Sequence, residues 1–260
     1  MSTIADLVAA EAKGAVTILT LNDPGRRNAI SPDMRIQLID RLDAALIDDQ
    51  CRAIVLTGAG GHFCAGGDIT NFAGMSGIEA RRRMVSVHRV IRTLVTGEKP
   101  VIAALEGSVS GGGLSLAACC DIAVAAAGAR FSAAFNRVGL APDMGASWVL
   151  PLRMGLGRAR MVMMTGEMFD AATAERWGLV ERVVGDGETR AVALELAREL
   201  SARAPLALGF TKALLAQMPR DLDTMLRAEA DAQALLFATS DLEEGRSAFL
   251  EKRRPNFSGQ

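Results

Sequence analysis

Three features of this 260-residue sequence predict an α/β core followed by a helical carboxy-terminal part. Four short runs, residues 16–22, 53–57, 101–105 and 122–126, are mostly rich in Val, Ile and Leu, and each meets Gly or Pro within two residues, as strands do. Between them, residues 32–47 and 79–95 space their apolar side chains as helices do. Beyond Gly145 the pattern turns almost wholly helical.

Taken in order, the strand at 16–22 closes on Asp23-Pro24. Ser31-Pro32 then provides a cap and a first-turn proline for the helix over 32–47. The strand at 53–57 leads into a glycine-rich turn, Phe63-Cys64-Ala65-Gly66-Gly67-Asp68, and the helix over 79–95 leads into the strand at 101–105. Ser110-Gly111-Gly112-Gly113-Leu114-Ser115 opens an apolar helix, and the strand at 122–126 follows. Helices are expected over 145–154, 157–165, 171–177, 189–202, 205–217, 221–238 and 241–252, with a brief strand at 180–184. In 221–238, Leu222, Met225, Leu226, Ala230 and Leu235 fall near one stripe, the mark of a helix packed on its own core or on a neighbouring subunit. No low-complexity linker or repeat divides the chain.

Composition narrows the function. Half the residues are apolar, yet no stretch reaches the roughly 18 uninterrupted apolar residues of a spanning helix, and Met1 to Lys13 lack the basic start and apolar centre of a signal peptide. A soluble, cytoplasmic protein with no membrane partner is expected. The net charge of −1 and the dispersed basic residues argue against nucleic acid as a partner. Two short clusters, Arg81-Arg82-Arg83 and Lys252-Arg253-Arg254, read as solvated helix faces or as phosphate ligands at a pocket rim. The four cysteines show no metal-ligand spacing and read as small buried hydrophobes, so no metal site is expected. With only His62 and His88 in the chain, acid–base work falls to a carboxylate.

The two glycine runs carry the chemistry. Glycines at a helix start leave backbone N–H groups uncovered at the positive end of the helix dipole, where a ligand oxygen can approach. A tight turn or close helix–strand packing explains one such run equally well. Two runs, each soon after a strand, favour a pair of donors that converge on one developing oxyanion.

The residues that surround these runs resemble the crotonase, or enoyl-CoA hydratase/isomerase, superfamily. The matching motifs are Leu21-Asn22-Asp23-Pro24, Arg27-Asn28-Ala29-Ile30, the stretch from Gly61 to Ile69, Lys99-Pro100-Val101-Ile102-Ala103-Ala104, the stretch from Gly107 to Gly113, Cys120-Asp121-Ile122, Gly139-Leu140-Ala141-Pro142-Asp143, Trp177-Gly178-Leu179-Val180 and the closing Lys252-Arg253-Arg254-Pro255-Asn256-Phe257. The resemblance implies a spiral of ββα units over residues 1–200 that binds acyl-CoA. It implies a helical oligomerisation region over 201–260, giving a homotrimer or homohexamer. It also implies an acyl-CoA thioester substrate, no cofactor beyond the CoA of that substrate, and an enolate held by the N–H groups of Gly67 and Gly112. For the CoA moiety it implies Arg27 near the phosphates, the backbone of Ala65 and Asp68 near the adenine, and Lys252 reaching a phosphate. The loop 71–83 is expected to help form the acyl pocket.

Hydratases of that superfamily use two glutamates, and the matching positions here are Ser115 and Phe135. Asp143 matches the position that carries the base in isomerase members. It reads either as that base or as a helix cap, and burial against Phe135 and Trp148 would raise its pKa. One carboxylate facing one oxyanion hole suffices for a 1,3-proton shift. An enoyl-CoA isomerase with Asp143 as acid–base group is therefore expected, with Ser115 and Phe135 in the substrate pocket. The alternatives are a hydratase using water held by Ser115 and Asp143, an acyl-CoA binder without catalysis, and an aryl-CoA dehalogenase. The last needs a histidine near His88, which otherwise reads as a surface residue.

Overall fold

The computed structural model describes residues 6–217 and 221–260. Its elements are β1 (Val8–Lys13), β2 (Val16–Leu21), α1 (Pro32–Ile47), β3 (Ala53–Gly58), α2 (Gly77–Thr96), β4 (Val101–Leu105), β5 (Ser108–Ser110), α3 (Gly112–Ala118), β6 (Ile122–Ala126) and β7 (Arg130–Ser132). They continue with α4 (Ala146–Met154), α5 (Leu156–Thr165), β8 (Met168–Asp170), α6 (Ala171–Arg176), β9 (Arg182–Val184), α7 (Thr189–Ser201), α8 (Pro205–Leu215), α9 (Leu222–Leu236) and α10 (Ser240–Leu250). No helix among the described residues is long and apolar enough to cross a membrane.

A six-stranded sheet runs in the order β1-β2-β3-β4-β6-β9, parallel except for the β1–β2 hairpin. Parallel strands are buried on both faces, which is why they read as near-continuous apolar runs. On one face Leu19, Leu21, Ile54, Leu56 and Ala103 join Met34, Leu38 and Leu42 of α1 and Val90 and Leu94 of α2. On the other, Ile18, Val55, Ile102 and Val124 pack against Ala193 and Ala197 of α7. A second sheet, β5-β7-β8, is reached directly from β4 through Glu106 and Gly107, and β5 leads into α3.

Local chemistry sets the helix starts. Ser31 Oγ accepts from Met34 N–H at 3.1 Å, with Pro32 in the first turn of α1. For α2, Ser76 and Glu79 form a reciprocal capping box, and the helix therefore begins at Gly77 rather than at residue 79. Four strands escape the sequence pattern. β1 is an edge strand in which Val8 alone is buried and the Ala, Glu and Lys residues after it are mostly exposed, fixed by its hairpin with β2, while β5, β7 and β8 are three residues each, too short for a period to show. All four cysteines are free and buried. Burial pushes the thiols of Cys64 and Cys119 up to about 12.

The apolar stripe of α9 does not pack on its own core. Leu222, Leu226 and Leu235 are exposed, and Ala232 is the buried residue of that helix. The carboxy-terminal helices are tied down elsewhere. Lys212 of α8, 7% exposed, donates to Asp121 Oδ2 at 2.7 Å and to Lys99 O at 2.9 Å, while Val101 N–H donates to the same carboxylate oxygen at 2.7 Å. Lys212→Met would leave Asp121, itself partly exposed, without its cation. The expected loss lies toward the lower end of the about 3–5 kcal/mol seen when a buried pair is broken. Urea unfolding measures it, and an unchanged midpoint would contradict this account of the anchor.

Candidate active site

A cavity of about 410 Å³ opens between the Ala65–Asp68 turn, the start of α3, the Asp143–Met144 segment and the inner face of α2. Its walls are laced together by backbone. Cys64 N–H donates to Ser108 O at 2.9 Å and Ser110 N–H to Cys64 O at 3.0 Å, stitching the first glycine turn to β5. Ala65 N–H donates to Arg27 O at 2.9 Å, and Ile30 N–H to Gly66 O at 2.7 Å, stitching it to the segment before α1. Asn28, fully buried, locks that segment by accepting from Asp23 N–H and donating to the carbonyls of Ala59 and His62.

The three glycines of the second run do three different things. Gly111 turns the chain at φ 52°, a conformation that favours glycine. Gly113 lets α3 lie on the Cys64 turn, because a Cβ there would stand 2.3 Å from Cys64 O. Gly112 lies between them at the first turn of α3, and a Cβ on it would stand 3.7 Å from the amide nitrogen of Gly67. Among the described residues neither the Gly67 nor the Gly112 N–H has a hydrogen-bond acceptor. Two unclaimed amides thus border one small space, the second at the positive end of a helix.

Asp143 lines the same cavity. Its Oδ1 is buried and has no hydrogen-bond partner, and α4 is capped by Gly145 with no side-chain bond, so the Asp143 side chain is not a helix cap. Burial raises its pKa above the ordinary carboxylate value, against the opposing charges of Arg83 and His88. Phe135 lines the cavity beside it, but Trp148 lies partly exposed outside the lining. The neighbouring Met144 takes the left-handed φ of 52°, a strained conformation for a side chain of that kind.

The raised pKa has a consequence for stability. The native state holds the Asp143 proton more tightly than the unfolded chain does, so the contribution is fully present below the unfolded carboxylate pKa and is lost as pH rises through the raised native value. Asp143→Asn removes that loss. In denaturant titrations the variant's stability relative to the wild type is expected to increase as pH rises from the acid side through this interval. A difference independent of pH would contradict it.

The structure places the other candidates as follows. Ala65 and Asp68 line the cavity. The Asp68 side chain is engaged by Arg26 Nη1 at 3.1 Å, Thr70 Oγ1 at 2.6 Å and Asn71 Nδ2 at 2.7 Å. Ser115 is a correction to its pocket assignment: it is fully buried outside the lining, and its hydroxyl donates to Asp143 O at 2.9 Å. It holds the backbone of the candidate base in place. Arg27 is exposed outside the cavity in a left-handed turn, and Lys252 is exposed at the end of α10, also outside it. His88 is exposed on α2. Sequence reasoning missed Arg35 and treated Arg83 as part of a solvated face or rim, yet both line the cavity, with the Arg83 guanidinium 4.5 Å above the Phe72 ring. A helical period read from residue 77 places Arg83 on the face of Val87 and Val90, the one signal that would have found it.

Fold and cavity together define an α/β protein whose cavity is lined by two backbone amides without acceptors and by an aspartate with one buried carboxylate oxygen. Residues 11–260 match the model of the enoyl-CoA hydratase/isomerase family. The chain is 39% identical to 1,2-epoxyphenylacetyl-CoA isomerase of Escherichia coli, over 95% of this chain and 96% of that one. It is 36% identical to crotonyl-CoA hydratase of Syntrophomonas wolfei, again over 95% and 96%. A crystal structure of an enoyl-CoA hydratase from a Polaromonas species superposes with a TM-score of 0.92 at 36% identity, covering 96% of this chain and 99% of that one. The protein belongs to the crotonase, or enoyl-CoA hydratase/isomerase, family of enzymes.

Proposed function

We propose that this enzyme is an enoyl-CoA isomerase that moves a double bond through a thioester enolate. One observation carries this: Asp143, whose Oδ1 is buried and unpartnered, lines the same cavity as Gly67 and Gly112, whose amides have no acceptor. The thioester oxygen accepts from both amides. The Asp143 carboxylate takes a proton from the α-carbon of a 3-enoyl thioester, the electrons pass into a dienolate, and the same carboxyl returns a proton to the γ-carbon to give the 2-enoyl product. Desolvation strengthens the two N–H contacts as charge reaches the oxygen.

The family supplies both chemistries, and the relative named crotonyl-CoA hydratase favours the hydratase alternative. Against it, Ser115 and Phe135 stand where two carboxylates would handle water, and the Ser115 hydroxyl is already committed to the Asp143 carbonyl. Incubating the enzyme with 2-enoyl- and 3-enoyl-CoA thioesters and identifying products by mass and position tests this. Positional isomers of unchanged mass are expected, and robust formation of 3-hydroxyacyl-CoA would overturn the isomerase assignment.

A second copy of the chain is the proposed cover for the exposed Leu222, Leu226, Leu235 and Phe249 of the carboxy-terminal helices, since apolar groups repeated along helices at an obligate interface are withdrawn from water. Light scattering is expected to give a trimer or a hexamer, and a monomer at micromolar concentration would contradict this.

A further inference from the structure

Arg35 of α1 and Arg83 of α2 both line the cavity. Among the described residues neither forms an ion pair. Arg35 Nε is buried with no hydrogen-bond partner, and its Nη1 makes one long bond, 3.5 Å, to the Arg83 carbonyl. The Arg83 guanidinium lies over Phe72, and its Nη2 would stand 3.1 Å from a Cβ on Gly67, beside the paired amides. The cavity's carboxylates act on Arg83 at a distance, but neither pairs with it or with Arg35. Asp68 is satisfied by Arg26, Thr70 and Asn71, and Asp143 is too far from either guanidinium for an ion pair.

Two like charges held close together and partly out of water are unfavourable unless an anion comes to them. Both guanidinium groups are drawn below their ordinary pKa by burial, Arg35 further by Arg83, while the charges of Asp143 and Asp68 pull Arg83 partly back. Arginine's planar fork matches a carboxylate bidentately. The position selects the acyl end of the substrate over its CoA end. With the thioester oxygen on Gly67 and Gly112, the proposed mechanism turns the acyl carbons toward Asp143, whose charge reaches Arg83, and Arg83, Met84 and Val87 of α2 line the same cavity.

We propose that the acyl group carries a second, terminal carboxylate, bound by Arg83 and Arg35, so that the substrate class is the ω-carboxyacyl-CoA thioesters. This rests on the placement of the thioester proposed above, and it is independent of whether the bound thioester is isomerised or hydrated.

The test uses unreactive saturated thioesters, so that binding is read without turnover. Calorimetric titration compares succinyl-, glutaryl-, adipyl- and suberyl-CoA with the monoacid thioesters of equal carbon number, together with free CoA. At one chain length or more, the diacid is expected to bind on the order of 10-fold or more tightly than its monoacid partner, as a charge-assisted pair allows. Arg83→Gln and Arg35→Met are each expected to bring that ratio toward one. No diacid preference at any length in the wild type overturns the proposal. So does a loss shared equally by diacids, monoacids and free CoA in the variants, which would assign the arginines to the CoA phosphates. If Arg35→Met fails to fold, the wild-type ratio and Arg83→Gln decide. If double-bond migration proves absent while the preference stands, the isomerase assignment falls and the carboxylate site does not.

Discussion

Asp143→Asn is expected to lower kcat for double-bond migration by about 10²–10⁴-fold, the usual contribution of a positioned acid–base group. The substitution keeps size and shape, so the cavity wall made by Asp143, Met144 and Phe135 remains. What it removes is the proton acceptor. No other cavity carboxylate can take its place, because Asp68 is held by Arg26 and by its own turn, and its pKa is drawn down chiefly by the Thr70 hydroxyl. Steady-state kinetics on a 3-enoyl-CoA should show the loss in kcat with KM little changed, the signature of an interaction made in the transition state. The wild-type enzyme should lose kcat/KM toward acid with an apparent pKa above the ordinary carboxylate range, since Asp143 must be ionised to act and burial raises it. Full activity in the asparagine variant would remove Asp143 from the mechanism.

Gly112→Ala should be nearly as damaging by a different route. Gly112 does not have a positive φ, so alanine fits the backbone. Its Cβ would stand 2.8 Å from Met144 Sδ, the movable end of a flexible side chain, and 3.7 Å from Gly67 N. The methyl group would therefore crowd the space in which the thioester oxygen meets both amides. A loss on the order of 10²–10³ in kcat is expected, comparable to removing one oxyanion donor. Gly113→Ala provides the contrast, because its Cβ would meet the Cys64 carbonyl at 2.3 Å and must disturb packing. Kinetics and thermal unfolding together separate the two. Gly112→Ala should keep the wild-type melting temperature within a few degrees, whereas Gly113→Ala should not. A Gly112→Ala enzyme of normal kcat would refute the paired-amide site.

The central α/β core was legible because four of its five parallel strands, β2, β3, β4 and β6, are mostly buried and helices α1 and α2 carry conventional caps. The bounds of α1 coincide with Pro32–Ile47 as expected from Ser31-Pro32. What stayed hidden was hidden for physical reasons. β5, β7 and β8 hold their places through neighbours far away in sequence, such as Arg130 opposite both Ser108 and Asp170. The two glycine turns were visible as candidates, but only the fold shows that Gly67 and Gly112 border one space.

Side-chain roles were the least legible. Ser115 stands where a pocket residue was expected, but it points at the Asp143 carbonyl, a contact that depends on the chain returning after β7 to the start of α3. Arg83 sits in a run of three arginines whose composition suggests solvent, and the pitch of α2 turns this one inward. The apolar stripe of α9 was correctly spaced, and the fold leaves it facing away from its own core.

The most direct test of the enolate account is proton exchange in deuterated water. Wild-type enzyme incubated with a 3-enoyl-CoA should give the 2-enoyl isomer, with deuterium entering at the α- or γ-carbon, and both migration and exchange should collapse together in Asp143→Asn. Exchange and migration that persist in Asp143→Asn, or an inert wild type that binds the thioester without exchanging any proton, would contradict it.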